Sequence, residues 1–464
     1  VEQDDLAAHT SSASTKLIHG GLRYLEQYEF SLVREALRER ERLLKIAPHI
    51  IWPLRFVLPL GAGMRPAWLL RLGLFLYDHL GGRRSLPGTE ALRLNGTGLG
   101  AGLGPQVRRG FAYSDCWVED SRLVVLNAVD AAARGARVLT RTRLISARRD
   151  ATVWQATLRD PAGSETAVTA RMIVNAAGPW VSDVLGGGLG INSQRRTRLV
   201  KGSHIVVKRQ YRGEHAYILQ NPDKRIVFTI PYERRYTLIG TTDESFAGDA
   251  SRVSISEAET TYLLESVNRW FARPVEADDI VWSYAGVRAL FDDGSKDASE
   301  VTRDYVLDLD APAGGAKLLS VFGGKITTYR RLAEQALEKL GIGGASWTAA
   351  EPLPGGDIPD GDFSAFVQDL ATAHPFLPNT QVLRLARAYG TRATRILGRA
   401  VTMAALGEDF GGGLTAAEVD YLVREEFART AEDILWRRSK LGLHVPAETA
   451  ERVGQYLRKE AVLF

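Results

Sequence analysis

Two apolar runs in this chain stop abruptly on small residues, and that limits what the chain can fold into. One is Met172-Ile-Val-Asn-Ala-Ala-Gly178; the other is Lys317–Phe322, which runs into Gly323-Gly-Lys325. A strand that ends this way lets the backbone approach a bound molecule closely, because few Cβ atoms stand in between. After the second run the pattern predicts a helix from about Thr328 to Leu340. A helix starting there would aim free N–H groups and the positive end of its dipole at whatever lies above.

Reduced flavin carries negative charge at its N1–C2=O edge, so a strand–diglycine–helix junction suits it. A ligand-free capped helix and an ordinary strand-ending turn fit the same residues. Glu2 stands where a Rossmann unit places an acid for the adenosine ribose, although a solvated surface Glu fits equally. The strand–Gly-x-Gly-x-x-Gly–helix unit that seats a pyrophosphate does not occur in the chain. Gly96-Thr-Gly-Leu-Gly-Ala101 has a related spacing, but no convincing strand leads into it and Pro105 follows, so it reads as a loop.

Along the rest of the chain, residues 1–24 read as a loop after a strand end, and Phe30 opens a helix that Pro48 terminates. Phe30, Val33, Leu37, Leu44 and Ala47 share one face of that helix. Short strands are expected at Val138–Thr140, Val153–Leu158 and Ala167–Ala170, four β-rich runs over 199–242, and a further strand at Tyr305–Leu309. Pro352-Leu-Pro-Gly-Gly-Asp357 is the best linker, and helix dominates after it. The Trp52–Arg84 stretch mixes Trp, Leu and Phe with repeated Arg, the composition of an interfacial helix or of a buried cap helix.

Of the 464 residues, 45% are hydrophobic and 25% charged, which excludes wholesale disorder. A net charge of +4 is too weak to argue for nucleic acid but suits an anionic substrate or an anionic membrane surface. Cys116 is the one cysteine, so no disulfide forms within the chain; it reads as packed, and a reducing cytoplasmic compartment is the natural expectation. No run of uncharged apolar residues is long enough to span a bilayer, and no His/Cys pair has metal-ligand spacing.

Longer motifs carry a family resemblance. Thr10-Ser-Ser-Ala-Ser-Thr-Lys-Leu-Ile-His-Gly-Gly-Leu-Arg-Tyr-Leu25, Tyr113-Ser-Asp-Cys-Trp-Val118, Leu199-Val-Lys-Gly-Ser-His-Ile-Val-Val207, Gly240-Thr-Thr-Asp243, Gly286-Val-Arg288, Thr302-Arg-Asp-Tyr305, Phe322–Tyr329, Gly407-Glu-Asp-Phe-Gly411 and Leu435-Trp-Arg-Arg438 occur in family order. Together they resemble the aerobic, FAD-dependent, quinone-linked glycerol-3-phosphate dehydrogenases of the D-amino-acid-oxidase-like flavoprotein group. Members of that family begin about 30 residues earlier, with the glycine-rich fingerprint. The chain opens on Val-Glu-Gln-Asp-Asp, and the expectation is a fragment or a reading frame begun too far downstream, with the function belonging to the intact protein.

The resemblance implies a mixed α/β fold in three units. A Rossmann-like FAD-binding unit would take residues 1–47, 110–195 and 300–345, without its first strand and glycine-rich loop. An antiparallel-sheet substrate or cap unit would take 48–109 and 196–299, and a helical unit 358–464. It implies oxidation of sn-glycerol 3-phosphate to dihydroxyacetone phosphate, with hydride passing to FAD and electrons to a membrane quinone. A glycerol-3-phosphate oxidase using oxygen and an inactive, cofactor-free fragment stand as alternatives. It also implies a cytoplasmic enzyme resting on the inner face of an anionic membrane, with a second copy of itself as a partner and without nucleic acid. FAD would be held by Glu2, Ser11, Ser12, Lys16, Leu17, His19, Gly20, Gly21, Ala177, Gly178, Trp180, Gly323, Gly324, Lys325 and Thr327. The phosphate dianion falls to Arg23, Tyr24, Arg288, Arg303 and Lys325, since guanidinium groups bind it bidentately. His204 is the expected base, its imidazole suited to proton abstraction near neutral pH, with a histidine merely hydrogen-bonded in a sheet as the other reading. Arg288 and Lys325 complete the expected catalytic set.

Overall fold

The computed structural model describes residues 1–61, 65–82, 85–193, 195–292 and 304–460, apart from the side chains of Arg23 and Glu460. It is a mixed α/β structure with a helical C-terminal part.

Among the described residues, a ten-stranded sheet forms the largest layer. Its strands run in the order Leu17–Ile18, Arg109–Val118, Ile51–Pro59, Ala216–Gln220, Ile226–Tyr232, Tyr236–Gly240, Thr197–Lys208 and Glu244–Ser245. Glu90–Arg93 also pairs with Arg109–Val118, and Ile280–Phe291 pairs antiparallel with Thr197–Lys208, setting Tyr284 opposite His204. Side chains alternate across a strand, so Tyr284, Gly286 and Arg288 share one face. The four β-rich runs expected over 199–242 are all present. Strand Ile280–Phe291 was not expected, because Trp282 to Phe291 lacks a clean alternation of apolar and polar residues.

A second sheet carries the two runs that end on small residues. Met172–Asn175 lies parallel to Lys317–Phe322, which pairs antiparallel with Val306–Asp310. Met172 is opposite Lys317 and Asn175 opposite Ser320, so both parallel strands finish at the same edge. Ligands in open α/β sheets bind outside the carboxyl ends of such strands. The antiparallel meander Arg143–Asp150, Val153–Arg159 and Glu165–Ala170 packs alongside, and Trp154 Nε1 donates to Lys317 O at 3.0 Å.

Three sequence expectations change. Val138–Thr140 forms no strand; its neighbourhood instead pairs irregularly with the chain start, Glu2 N donating to Leu139 O and Thr142 N to Glu2 O, both at 2.8 Å. The Trp52–Arg84 stretch is not one helix. Ile51–Pro59 is a strand buried inside the large sheet and Ala67–Leu80 is a helix, while Arg83 and Arg84 lie outside the described residues. β-Branched and aromatic residues flanking Pro53 favoured pairing with Arg109–Val118 over an interfacial helix. The Pro352–Asp357 segment is packed rather than free: Leu353 is buried and its N–H donates to Ile46 O at 2.8 Å. Beyond it, helices Phe363–Ala373, Asn379–Tyr389, Ala416–Glu425 and Glu448–Glu460 surround a core built on Leu385, Phe410, Leu422 and Ile434.

Candidate active site

Residues far apart in the chain converge at the carboxyl edge of the parallel strand pair. After Phe322 the backbone takes φ +78 at Gly323 and +113 at Gly324, conformations open to glycine and unfavourable for any side chain. The turn delivers Lys325 so that its Nζ lies 3.8 Å from the centroid of the Tyr24 ring, close enough for a cation–π interaction. Thr327 Oγ1 accepts from His19 N at 3.2 Å and sits 3.3 Å from His19 O. The Leu-Ile-His-Gly-Gly and Gly-Gly-Lys-Ile-Thr motifs, 308 residues apart, are thereby joined. The expected helix follows, as a 3-10 turn at Ile326–Thr328 and then α-helix Tyr329–Leu340.

The diglycine loop is also tied down from behind. Gly20 N donates to the Tyr77 hydroxyl at 2.7 Å, Tyr77 Oη donates to Asp115 at 2.8 Å, and Arg40 Nη1 donates to Asp115 Oδ1 at 2.8 Å. Burial lifts the Asp115 carboxyl above its usual range, although Arg40 pulls the other way. Asp115 belongs to the Tyr113-Ser-Asp-Cys-Trp motif, whose role the sequence did not suggest; Cys116 beside it is buried.

Ala177, Gly178 and Trp180 follow the other parallel strand. Asn175 Nδ2 donates to Val181 O at 2.9 Å and fixes that turn, and Gly178 has φ +56. Trp180 meets the His9 ring edge-on at 4.9 Å, which places segment 9–16 next to this turn. Thr10 Oγ1 donates to Val287 O at 2.8 Å, so the segment crosses strand Ile280–Phe291. Ser11 is exposed there, and Ser12 Oγ donates to His9 O. Lys16 is fully buried: its ammonium donates to both Asp120 oxygens and to Ser12 O, each at 2.9 Å. Its charge is committed to shaping the segment. Leu17 is buried in the short strand that follows, and the Glu2 carboxylate accepts from Asp4 N at 3.1 Å.

His204 is 2% exposed. Its ring stacks on Tyr284 at 4.7 Å and 17°, and Nε2 is 2.9 Å from Thr15 Oγ1. Among the described residues Nδ1 has no hydrogen-bond partner. Burial foremost, then the charges of Lys16 and Arg288, hold the imidazole well below its ordinary pKa, so it is neutral at neutral pH. The ring also presses on Gly240, where an added Cβ would overlap it. Gly240→Ala is therefore expected to shift the imidazole and cost 1–3 kcal/mol, about what overpacking costs in a core; urea unfolding of the two proteins measures it.

Arg288 Nη2 lies 2.7 Å from Asp243 Oδ1 and donates to Thr242 O at 2.9 Å. Asp243 ends the Gly240-Thr-Thr-Asp motif, so that motif orients the guanidinium. Arg23 lies in the 3-10 segment Leu22–Gln27, and Arg303 lies outside the described residues. Thr15, Asp120, Tyr284 and Asp243 were not singled out in the sequence as site residues, because each acts through a partner distant in the chain.

The first 330 residues match the family described as FAD dependent oxidoreductase, and residues 346–461 match the C-terminal domain of alpha-glycerophosphate oxidase. A glycerol-3-phosphate dehydrogenase of Pseudomonas aeruginosa is 55% identical over 99% of this chain and 90% of its own length. The D-erythritol 1-phosphate dehydrogenase of Brucella abortus is 53% identical, covering 96% and 89%. The aerobic glycerol-3-phosphate dehydrogenase of Escherichia coli is 51% identical, covering 98% and 91%. The FAD complex of the glycerol-3-phosphate dehydrogenase from Bacillus halodurans shares the fold, with a TM-score of 0.71 at 24% identity over 99% of this chain and 88% of that one. With its strand ends, glycine turns and full-length relatives in agreement, this chain belongs to the FAD-dependent oxidoreductase family, among the relatives of the glycerol-3-phosphate dehydrogenases.

Proposed function

We propose that this chain oxidises sn-glycerol 3-phosphate to dihydroxyacetone phosphate with FAD and passes the electrons to a membrane quinone. The observation that carries the reading is the junction of His19 with Thr327, which sets Lys325 and Tyr24 together at the carboxyl edge of the parallel strands. FAD suits that edge, because Gly178, Gly323 and Gly324 present bare backbone at positive φ and Trp180 and His19 flank it. Those residues, with Glu2, Ser11, Ser12, Leu17, Gly20, Gly21, Ala177 and Thr327, would hold the cofactor. When bound, FAD is the acceptor for the hydride that leaves C2. Arg288, Lys325 and Tyr24, with Arg23 and Arg303, would hold the phosphate end; Asp243 keeps the Arg288 fork aligned for bidentate contact. His204 would take the C2 hydroxyl proton on Nδ1, since Nε2 faces Thr15.

The test is anaerobic: flavin absorbance of the FAD-loaded chain should bleach on adding sn-glycerol 3-phosphate. A loaded protein that stays yellow overturns the reading. A second reading, a longer polyol phosphate as substrate, is favoured by the 53% identity to the D-erythritol 1-phosphate dehydrogenase; faster bleaching by that ester would select it. For the acceptor, stopped-flow reoxidation should be faster with a soluble quinone analogue than with oxygen, and the reverse order would favour an oxidase.

Because the His204 pKa is depressed, the base stays unprotonated as pH falls through 6.5. The acid limb of kcat/KM is therefore expected below pH 6.5; a limb at or above it would argue for another base.

No helix among the described residues is long and apolar enough to cross a membrane. Helix Ala67–Leu80 nevertheless exposes Trp68, Leu69, Leu72 and Phe75, with Arg65 and Arg71 nearby in sequence, and suits shallow docking on anionic lipid. Replacing Trp68, Leu72 and Phe75 by Ser should abolish cosedimentation with anionic vesicles at low salt.

A further inference from the structure

The C-terminal helical unit takes no part in the chemistry above, yet it grips the start of the chain. Asp5 is 3% exposed and lies among arginines. Arg438 donates to it through Nη1 at 2.6 Å and Nη2 at 2.8 Å, and Arg437 through Nε at 2.7 Å. Arg437 Nη2 also reaches Asp433 Oδ1 at 2.5 Å, and Asp433 accepts from Arg141 Nη2 at 2.7 and 2.8 Å. Arg438 is fully buried, its Nε donating to Glu426 O at 2.9 Å. Asp5 and Arg141 come from one side of this seam and Asp433, Arg437 and Arg438 from the other. Buried charges of this kind are tolerated only while each keeps its partners, so the seam is stable only when docked.

The gripped segment leads straight to the candidate site. Four residues after Asp5, His9 meets Trp180; next, Thr10 is bound to Val287 O, and Ser14 and Lys16 to Asp120. Ala7 and Lys16 have φ +59 and +61, values that a side-chain-bearing residue keeps only when its surroundings hold it. Residues 7–15 are mostly Ala, Ser and Thr and bury little apolar surface of their own, so tertiary anchors must supply their order.

We propose that Arg437 and Arg438 are positioning residues that clamp segment 1–16 in the form that takes up FAD, making the C-terminal unit a device for cofactor retention. This rests on the FAD reading above. If release leaves the segment in its binding form a tenth of the time or less, apparent affinity falls by that fraction.

The experiment titrates FAD into the full chain and follows the quenching of flavin fluorescence. Arg438→Met and Asp5→Asn should each raise the FAD Kd at least tenfold, and the double variant should be no worse than the poorer single one. Arg437→Gln, which retains the Arg438 fork, should weaken binding less but in the same direction, and it serves if Arg438→Met does not fold. Arg384→Gln breaks a partly buried pair with Glu418 inside the C-terminal unit, and should lower the melting temperature without moving the FAD Kd. Unchanged FAD affinity in Arg437→Gln or Asp5→Asn, or an equal loss in Arg384→Gln, overturns the clamp. A parent chain that takes up no FAD overturns the FAD reading and the clamp with it, whereas a parent that binds FAD alongside unaffected variants overturns the clamp alone.

Discussion

Asp120→Ala is expected to destabilise the protein by about 3–5 kcal/mol, the cost of stranding one partner of a buried ion pair. Asp120 and Lys16 are both fully buried, and the carboxylate accepts from Lys16 Nζ at 2.9 Å, Ser14 Oγ at 2.7 Å, Ser14 N at 3.2 Å and Ser121 N at 2.8 Å. Without it the ammonium keeps, among the described residues, Ser12 O and the face of the Tyr284 ring, 5.1 Å away. Water cannot reach it unless the segment opens, and opening frees Thr15 from His204. Urea unfolding measures the loss. Asp120→Ala with Lys16→Met should recover much of it, because replacing both ions with apolar groups removes the stranded charge. A loss below 1 kcal/mol in the single variant would mean that the ammonium finds water in place.

Arg288→Met is expected to lower kcat/KM for sn-glycerol 3-phosphate about a thousandfold, or ~4 kcal/mol, in the range for truncating one partner of a charged contact that bound substrate would desolvate. Arg288→Lys should recover little, because an ammonium cannot reproduce a planar fork already aligned by Asp243 and Thr242 O. The arginine's charge also helps hold the His204 pKa down, so its removal should move the acid limb of the pH profile upward. A loss under tenfold, with an unmoved limb, would place the phosphate elsewhere. Steady-state kinetics across pH reads both effects.

The same residues show where a sequence is informative. Gly323-Gly-Lys325 was legible because its signal is local: glycines mark positive φ, and an apolar run before them marks the strand. The four strands over 199–242 and the helix from Phe30 were legible from periodicity. Val138–Thr140 misled because its two β-branched residues, Val138 and Thr140, sit where the chain pairs with residues 2–4 irregularly rather than in a ladder. The first part of the Trp52–Arg84 stretch misled because a sheet partner, Arg109–Val118, made Ile51–Pro59 a strand, whereas Ala67–Leu80 is helical. On helix Phe30–Ile46 the expected apolar face is correct at Val33 and Leu37, but Phe30 is exposed while Arg40 is buried against Asp115.

The strand ends, the glycine turns and the motifs that mark an FAD-dependent oxidoreductase were readable from residues adjacent in the chain, since these rest on backbone sterics and local order. Which charge neutralises which was set by the folding of distant segments against one another. Lys16 finds Asp120 104 residues away, Arg438 finds Asp5 433 away, and His204 meets Thr15 189 away. No local pattern encodes such partners. A buried ion accepts whichever opposite charge the fold delivers, and the cost of leaving it alone is realised only once the layers have closed around it.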